Sequence, residues 1–188
     1  MKHSIFLLLA ISVMLFTACD DDDSGFQFDP ELMHYDGVNA NAPVLPQGEV
    51  ELAAQFESDA MDFYAGKSID AVQLFIYEVP VQTPTLRIYS GGQGNNPGQV
   101  IAQQQLTGLQ ANGWNIVELD EAVEFPSDAL WIGVYFPDGG QIQILGCDAG
   151  PRVDGGDWMY EGSDEQWLSF NQRSGDNINW NIRAMVID

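Results

Sequence analysis

Basic residues are scarce in this chain: six Lys and Arg stand against 28 Asp and Glu in 188 residues, a formal net charge of −22. Binding phosphates takes a basic patch, groove or stripe, so the balance speaks against a nucleic-acid partner. Cysteine and histidine are nearly absent, with two of each. Past residue 18 only His34, Cys19 and Cys147 are left, too few for the usual zinc ligand set and thin for a nucleophile with its base. No apolar run reaches the roughly 20 residues of a spanning helix. A Gly-rich phosphate loop opening a helix is missing, as is any internal repeat of solenoid period. Core-forming material is not lacking: 45% of residues are hydrophobic and 11% aromatic, which excludes a disordered acidic tail. The length fits one domain.

The N-terminus reads as an address. Lys2 and His3 precede an apolar run at 5–16 that closes on Phe16-Thr17-Ala18-Cys19. A basic start, a short apolar stretch and small residues before a cut are those of a secretory signal. An aromatic residue, two small ones and Cys resembles the lipobox of bacterial lipoproteins. The resemblance implies removal of 1–18, acylation of Cys19 and attachment to a membrane, where two or three acyl chains hold essentially permanently at ~0.8 kcal/mol per buried methylene. Asp20, Asp21, Asp22 and Asp23 follow directly. By composition they form a solvated spacer that keeps the domain off an anionic bilayer. An acidic run behind the lipidated cysteine also resembles the surface-export signal of lipoproteins in a large group of gut and environmental Gram-negative bacteria. The expectation is an outer-membrane lipoprotein facing the cell surface, with a periplasm-facing orientation as the alternative. Residues 19–34 read as an acidic tether, and the folded domain as 35–188, with Pro30, Pro43 and Pro46 marking an extended entry that runs to about Gly48.

From Glu49 on, the hydrophobic period is two. Val50, Leu52, Ala54 and Phe56 alternate with Glu49, Glu51, Ala53 and Gln55, a half-buried strand by pattern. Further runs follow at 71–79, 85–90, 99–106, 114–119, 130–136, 141–147, 158–160, 166–170 and 179–187, nearly all separated by Gly-, Asn- and Pro-rich turns. This spacing predicts an all-β fold, an antiparallel two-sheet sandwich of nine or ten strands. At most one short helix is expected, at 58–64, with Ser58 as its cap. A folded part of roughly 140 residues buries somewhat under 70% of its chain surface, enough for stability without the disulfide that Cys147 has no partner to form.

Several segments resemble a jelly-roll module that recurs in secreted and surface proteins of the same bacteria: Ala54-Gln55-Phe56, Leu86-Arg87-Ile88-Tyr89-Ser90-Gly91-Gly92, Gly113-Trp114-Asn115, Leu130-Trp131-Ile132-Gly133, Gly146-Cys147-Asp148-Ala149-Gly150-Pro151 and Asn179-Trp180-Asn181-Ile182. Such modules accompany peptidase, adhesin or fibronectin-like domains. The resemblance implies a jelly-roll sandwich at the cell surface and carries little about activity. The turn before Trp167 departs from the module's usual Asp-Gly-Gly.

Candidate site residues gather in the second half. Asp148, Asp154 and Asp157 share a Gly-rich loop, where oxygen donors suit a hard cation; a structural calcium is the one cofactor these loops suggest, although their spacing matches no defined calcium loop. Trp158, Tyr160 and Trp167 stand near loops rich in Asp, Asn and Gly, the setting in which aromatic faces meet pyranose rings or protein partners. Arg152 is a lone cation among acids, suited to relieving repulsion or to gripping a carboxylate. Trp114, Trp131 and Trp180 read as structural. The leading expectation is a non-enzymatic, lipid-anchored surface module that binds glycan or protein through Asp148, Arg152, Asp154, Asp157, Trp158, Tyr160 and Trp167. An accessory subunit of an envelope complex is the rival. A small glycosidase, which needs only two carboxylates beside a cleft, comes third.

Overall fold

The computed structural model describes residues 29–188. The expected signal, Cys19 and the aspartates at 20–23 lie outside the described residues.

The alternating runs form ten strands. In chain order they are β1 (Leu32–Met33), β2 (Val50–Phe56), β3 (Ser68–Ile76), β4 (Thr85–Gln93), β5 (Asn96–Gln105), β6 (Gly113–Glu124), β7 (Leu130–Phe136), β8 (Trp158–Glu161), β9 (Gln166–Ser169) and β10 (Ile182–Ile187). They pair antiparallel into a four-stranded sheet, β1-β10-β3-β6, and a six-stranded sheet, β5-β4-β7-β2-β8-β9. The sheets close on one core. Leu52, Ala54 and Phe56 of β2, Ile132 and Val134 of β7, Val72 and Leu74 of β3, and Ile182 and Ala184 of β10 are all buried in it. Because successive side chains of a strand point to opposite faces, these inward positions fix which residues face out.

Four details differ from the pattern reading. Two short helices are present, not one: α1 (Ser58–Phe63) and α2 (Phe170–Ser174). The second follows directly on β9 and is set by a capping box, with Ser169 accepting from the Gln172 N–H, Gln172 accepting from the Ser169 N–H, and Gly175 in the left-handed conformation at its end. Helix α1 begins one residue early, with Glu57 at the cap position and no side-chain cap bond. The run at 141–147 makes isolated bridges rather than a strand, pairing Val44 with Gln143 and Asn41 with Cys147. Its partner segment carries Pro43 and Pro46, which have no N–H to give a continuous ladder. The sheet also reaches into the expected tether, since Leu32 and Met33 pair with Met185 and Ala184, and Met33 is fully buried.

The finding that positions the site concerns β2. Its alternation predicts one buried face, yet all seven residues are buried, including Glu51, Ala53 and Gln55 on the face away from the core. Something covers the outer face of the six-stranded sheet, and it is built from side chains of that sheet.

Candidate binding face

Strand register places the outward side chains in rows. Glu51 lies between Tyr135 on β7 and Tyr160 on β8, and Tyr160 in turn pairs with Trp167 on β9. Ala53 lies between Gly133 and Trp158, and Trp131 between Gln55 and Tyr89. The floor is therefore small in the middle, Ala53 and Gly133, with large groups around it. That leaves room for indole rings and a carboxylate to lie flat over the strands.

Two groupings result. The first is polar. Tyr89 donates its hydroxyl to Glu51 Oε1 (2.7 Å), Arg87 donates to Glu51 Oε2 (2.9 Å), and the Arg87 guanidinium lies 3.9 Å from the Tyr135 ring centroid. A Cβ on Gly133 would stand 2.5 Å from Glu51 Oε1, so glycine is needed where the carboxylate crosses the strand. Burial pushes the Glu51 carboxyl above its ordinary range, and the bonds from Tyr89 and Arg87 offset only part of this. Burial and the neighbouring carboxylate push the Tyr89 hydroxyl up too, so it stays a donor.

The second is aromatic. Trp131 is fully buried, with Trp158 at 5.0 Å and Trp167 at 5.4 Å between ring centroids, and Tyr160 lies 5.7 Å from Trp167. Trp158, Tyr160 and Trp167 are half-buried, each keeping part of its surface in solvent. Trp158 Nε1 donates to Gln55 Oε1 (2.8 Å), which fixes its ring, and Gln55 Nε2 donates to Glu57 (2.9 Å). The Trp131 N–H, by contrast, has no hydrogen-bond partner among the described residues.

The β4–β5 hairpin completes the face. Gly91, Gly94 and Gly98 take positive φ and bend it, and Asn95 at its tip donates to the Trp167 carbonyl (3.3 Å). Strand β9 lies four positions from β4 in the sheet, roughly 19 Å at about 4.8 Å per strand, so the tip leans across the aromatic group to reach it. Between this hairpin and the end of β2 is a polar cleft of about 370 Å³, lined by Gln55, Glu57, Ser58, Gln93 and Asp128 with the glycine backbone of the hairpin.

The structure divides the sequence-derived candidates. Trp158, Tyr160 and Trp167 come together on this face. The loop residues lie apart from it, bonded within the fold. Asp148 is buried and accepts four N–H bonds, from the backbones of Gly37, Gly150 and Asn179 and from the Asn179 side chain. Asp157 is buried, accepts from Arg152 Nε (2.8 Å) and the Asn171 backbone (2.9 Å), and is pushed up in pKa by burial. Arg152 also holds the exposed Asp154 at 2.7 Å, so its guanidinium clasps its own loop. Among the described residues no three His, Cys, Asp or Glu side chains converge as a metal would need. The Cys147 thiol is buried and pushed up to about 12, chiefly by burial, which keeps it protonated. Trp180 fills the core as its strand position predicts, whereas Trp114 is partly exposed on the other sheet.

Sequence reasoning missed Glu51, Arg87, Tyr89 and Trp131 as members of a site. A usable signal was there: Arg87 with Tyr89, and Trp131 with Gly133 and Tyr135, recur at spacing two, which puts aromatics, a cation and a glycine on the face that alternation assigns to water.

Fold and site together define an all-β antiparallel sandwich with an aromatic outer face. No family model and no curated protein matches the chain. Among solved structures it is similar to the crystal structure of the cysteine protease and lectin-like domains of Cwp84, a surface layer associated protein of Clostridium difficile, with a TM-score of 0.51 and 13% identity. The match covers 74% of this chain and 32% of that one, so this chain spans about a third of that chain's length, and the likeness shows the fold alone. No helix among the described residues is long and apolar enough to cross a membrane.

Proposed function

We propose that this chain is a non-enzymatic surface module, anchored through acylated Cys19, that binds a glycan on the outer face of its six-stranded sheet. The observation that carries the reading is the grouping of Trp158, Tyr160 and Trp167, half-exposed and side by side, on a rigid bed of Trp131, Ala53 and Gly133. Aromatic faces present the apolar C–H surface that pyranose rings stack on, and the amides and carboxylates of the adjoining cleft suit sugar hydroxyls. The rings are held before any ligand arrives, Trp158 through Gln55 and Trp167 against Trp131, which lowers the ordering cost of binding. The lectin-like domain named for the Cwp84 structure is compatible support for a binding module of this shape.

An oligosaccharide array with Trp167→Ala and Trp158→Phe tests it, each variant first checked for an unchanged far-UV spectrum and a cooperative melt. Binding that is lost in Trp167→Ala and weakened in Trp158→Phe supports the reading; binding retained in both, or no bound glycan at all, overturns it. The accessory-subunit alternative has its own observation, since Trp114 (39% exposed) and Ile116 (61%) lie open on the four-stranded sheet. Co-purification with envelope proteins that depends on Trp114, without glycan binding, favours that alternative. The anchor is tested separately: radiolabelled palmitate enters the wild-type chain and fails to enter Cys19→Ala.

A further inference from the structure

We infer that the saccharide accepted by this face carries no acidic group, and that a free amine on it strengthens binding. This rests on the reading of the outer face as a glycan platform and adds the charge class of the ligand.

The first observation is the state of the cations. Among the described residues each Lys and Arg is already in an ion pair: Lys67 with Asp188 (3.3 Å), Arg87 with Glu51 (2.9 Å), Arg152 with Asp157 (2.8 Å) and Asp154 (2.7 Å), Arg173 with Asp164 (2.9 Å) and Glu161 (3.2 Å), and Arg183 with Asp36 (2.8 Å). Arg87 belongs to the outer face of the six-stranded sheet, and Arg173 lies against the β8–β9 turn. Arg87 holds a carboxylate with 3% side-chain exposure, and Arg173 bonds two acids and the Gln166 carbonyl. Gripping a uronate, sialate or sulfate with Arg87 would mean pulling its guanidinium from Glu51, a carboxylate that would then stay behind, buried, with the Tyr89 hydroxyl but no cation.

The second observation is what the face offers instead. Glu57 and Asp128 line the cleft and are exposed, and Asp164 and Glu165, exposed in the β8–β9 turn, stand beside Trp167. An acidic sugar stacked on Tyr160 and Trp167 meets the field of Glu165 and Asp164, which already acts on the Tyr160 hydroxyl, while an ammonium meets partners. Neutral hydrogen-bonding capacity is also present: the Gln93 amide, the Ser58 hydroxyl and the hairpin backbone line the cleft. The same geometry thus serves hydroxyls, favours an amine and opposes an acid.

Three oligosaccharides of matched length test this: a glucosamine oligomer with free amines, its fully N-acetylated form, and a galacturonate oligomer, titrated calorimetrically into the full chain at 50 mM and 500 mM salt. The expected order is free amine tightest, N-acetylated next, and galacturonate at least tenfold weaker than the N-acetylated form. High salt should narrow the amine's advantage and leave the N-acetylated form unchanged. The paired variants Glu57→Gln and Asp128→Asn, both at exposed positions, should shrink the gap between amine and galacturonate several-fold. Galacturonate binding as tight as the N-acetylated oligomer overturns the charge inference while leaving the glycan reading standing. Failure of all three, together with an empty array, removes the glycan reading and the inference with it. A gap that Glu57→Gln and Asp128→Asn leave unchanged shows that the cleft acids do not set the selectivity, which also overturns it.

Discussion

On the outer face of each sheet an arginine lies over an aromatic ring and holds a carboxylate that is out of water. In the six-stranded sheet this is Arg87, 3.9 Å from the Tyr135 centroid and bonded to Glu51; in the four-stranded sheet it is Arg183, 4.1 Å from the Trp114 centroid and bonded to Asp36. The chemistry is the same and the consequence is not. Asp36 belongs to the entry segment, so Arg183, which also donates to the Gly37 carbonyl, ties the start of the fold to its last strand. Glu51, Arg87 and Tyr89 all sit on central strands and tie nothing down that the ladders do not already hold. A latch and a polar centre can thus look alike residue by residue. What separates them is the neighbourhood: Trp114 and Ile116 are exposed without a cluster of rings around them, while Trp158, Tyr160 and Trp167 gather over Trp131.

The sharpest way to break this comparison is to remove the arginines one at a time. Arg183→Ala strips Asp36 of a guanidinium that contacts both its oxygens and leaves a fully buried carboxylate with only Asn181 and His34 as partners. The expected cost is about 3–5 kcal/mol, the range for breaking a buried pair from one side. Arg87→Ala should cost roughly 2 kcal/mol, below that range, because Glu51 keeps the Tyr89 hydroxyl and Arg87 contributes a single bond to it. Urea unfolding of both variants gives the comparison directly. Equal losses would mean that Glu51 is as much a structural latch as Asp36.

Next in size is Gly133→Ala. The added Cβ meets Glu51 Oε1 at 2.5 Å, and the carboxylate cannot swing aside without leaving Tyr89 and Arg87. A loss of about 1–3 kcal/mol is expected, as for other overpacked sites, with the near-UV circular dichroism of the indole cluster changing in parallel. By contrast Gln73→Leu, a change of similar size on the outer face of the four-stranded sheet, where Gln73 pairs with Arg183 and Ile116, should leave stability within about 0.5 kcal/mol.

These sites also show what a sequence discloses and where it stops. The sandwich was legible because period-two runs such as Leu130, Ile132, Val134 and Phe136 follow from burying one face against a second sheet, and that pattern survives any detail of pairing. Helix α2 was legible in principle, through Ser169 with Gln172 and Gly175, but its first residue also continues the Gln166 strand pattern and the shorter signal lost. Trp158 and Trp167 were found as candidates because loops rich in Asp, Asn and Gly flank them. The burial of Asp148 and Asp157 was not legible for a physical reason: a loop aspartate that caps backbone N–H groups and one that faces solvent have the same local sequence, and only long-range partners such as Asn179 and Asn171 distinguish them. Glu51 was invisible for the complementary reason. Alternation assigns it to water, and its burial comes from side chains on strands that the sequence does not say are neighbours.

The smallest effect expected concerns that same carboxylate and is read from pH rather than from a single loss. Burial holds Glu51 above the ordinary glutamate range, so the folded chain binds this proton more tightly than the unfolded one. Linkage then fixes the sign: the group's contribution to stability is complete below the unfolded value, about 4.3, and is lost as pH rises through the raised folded value. Glu51→Gln removes the titration while its amide oxygen can still accept from Tyr89, so stability of the wild type relative to this variant should fall as pH climbs from about 4.3 toward neutrality. The subtraction matters, because the many other carboxylates titrate in both proteins and cancel. A wild-type advantage that instead grows over that window would show that the Arg87 pair outweighs burial, and would leave the aromatic neighbours as the remaining difference between the two faces.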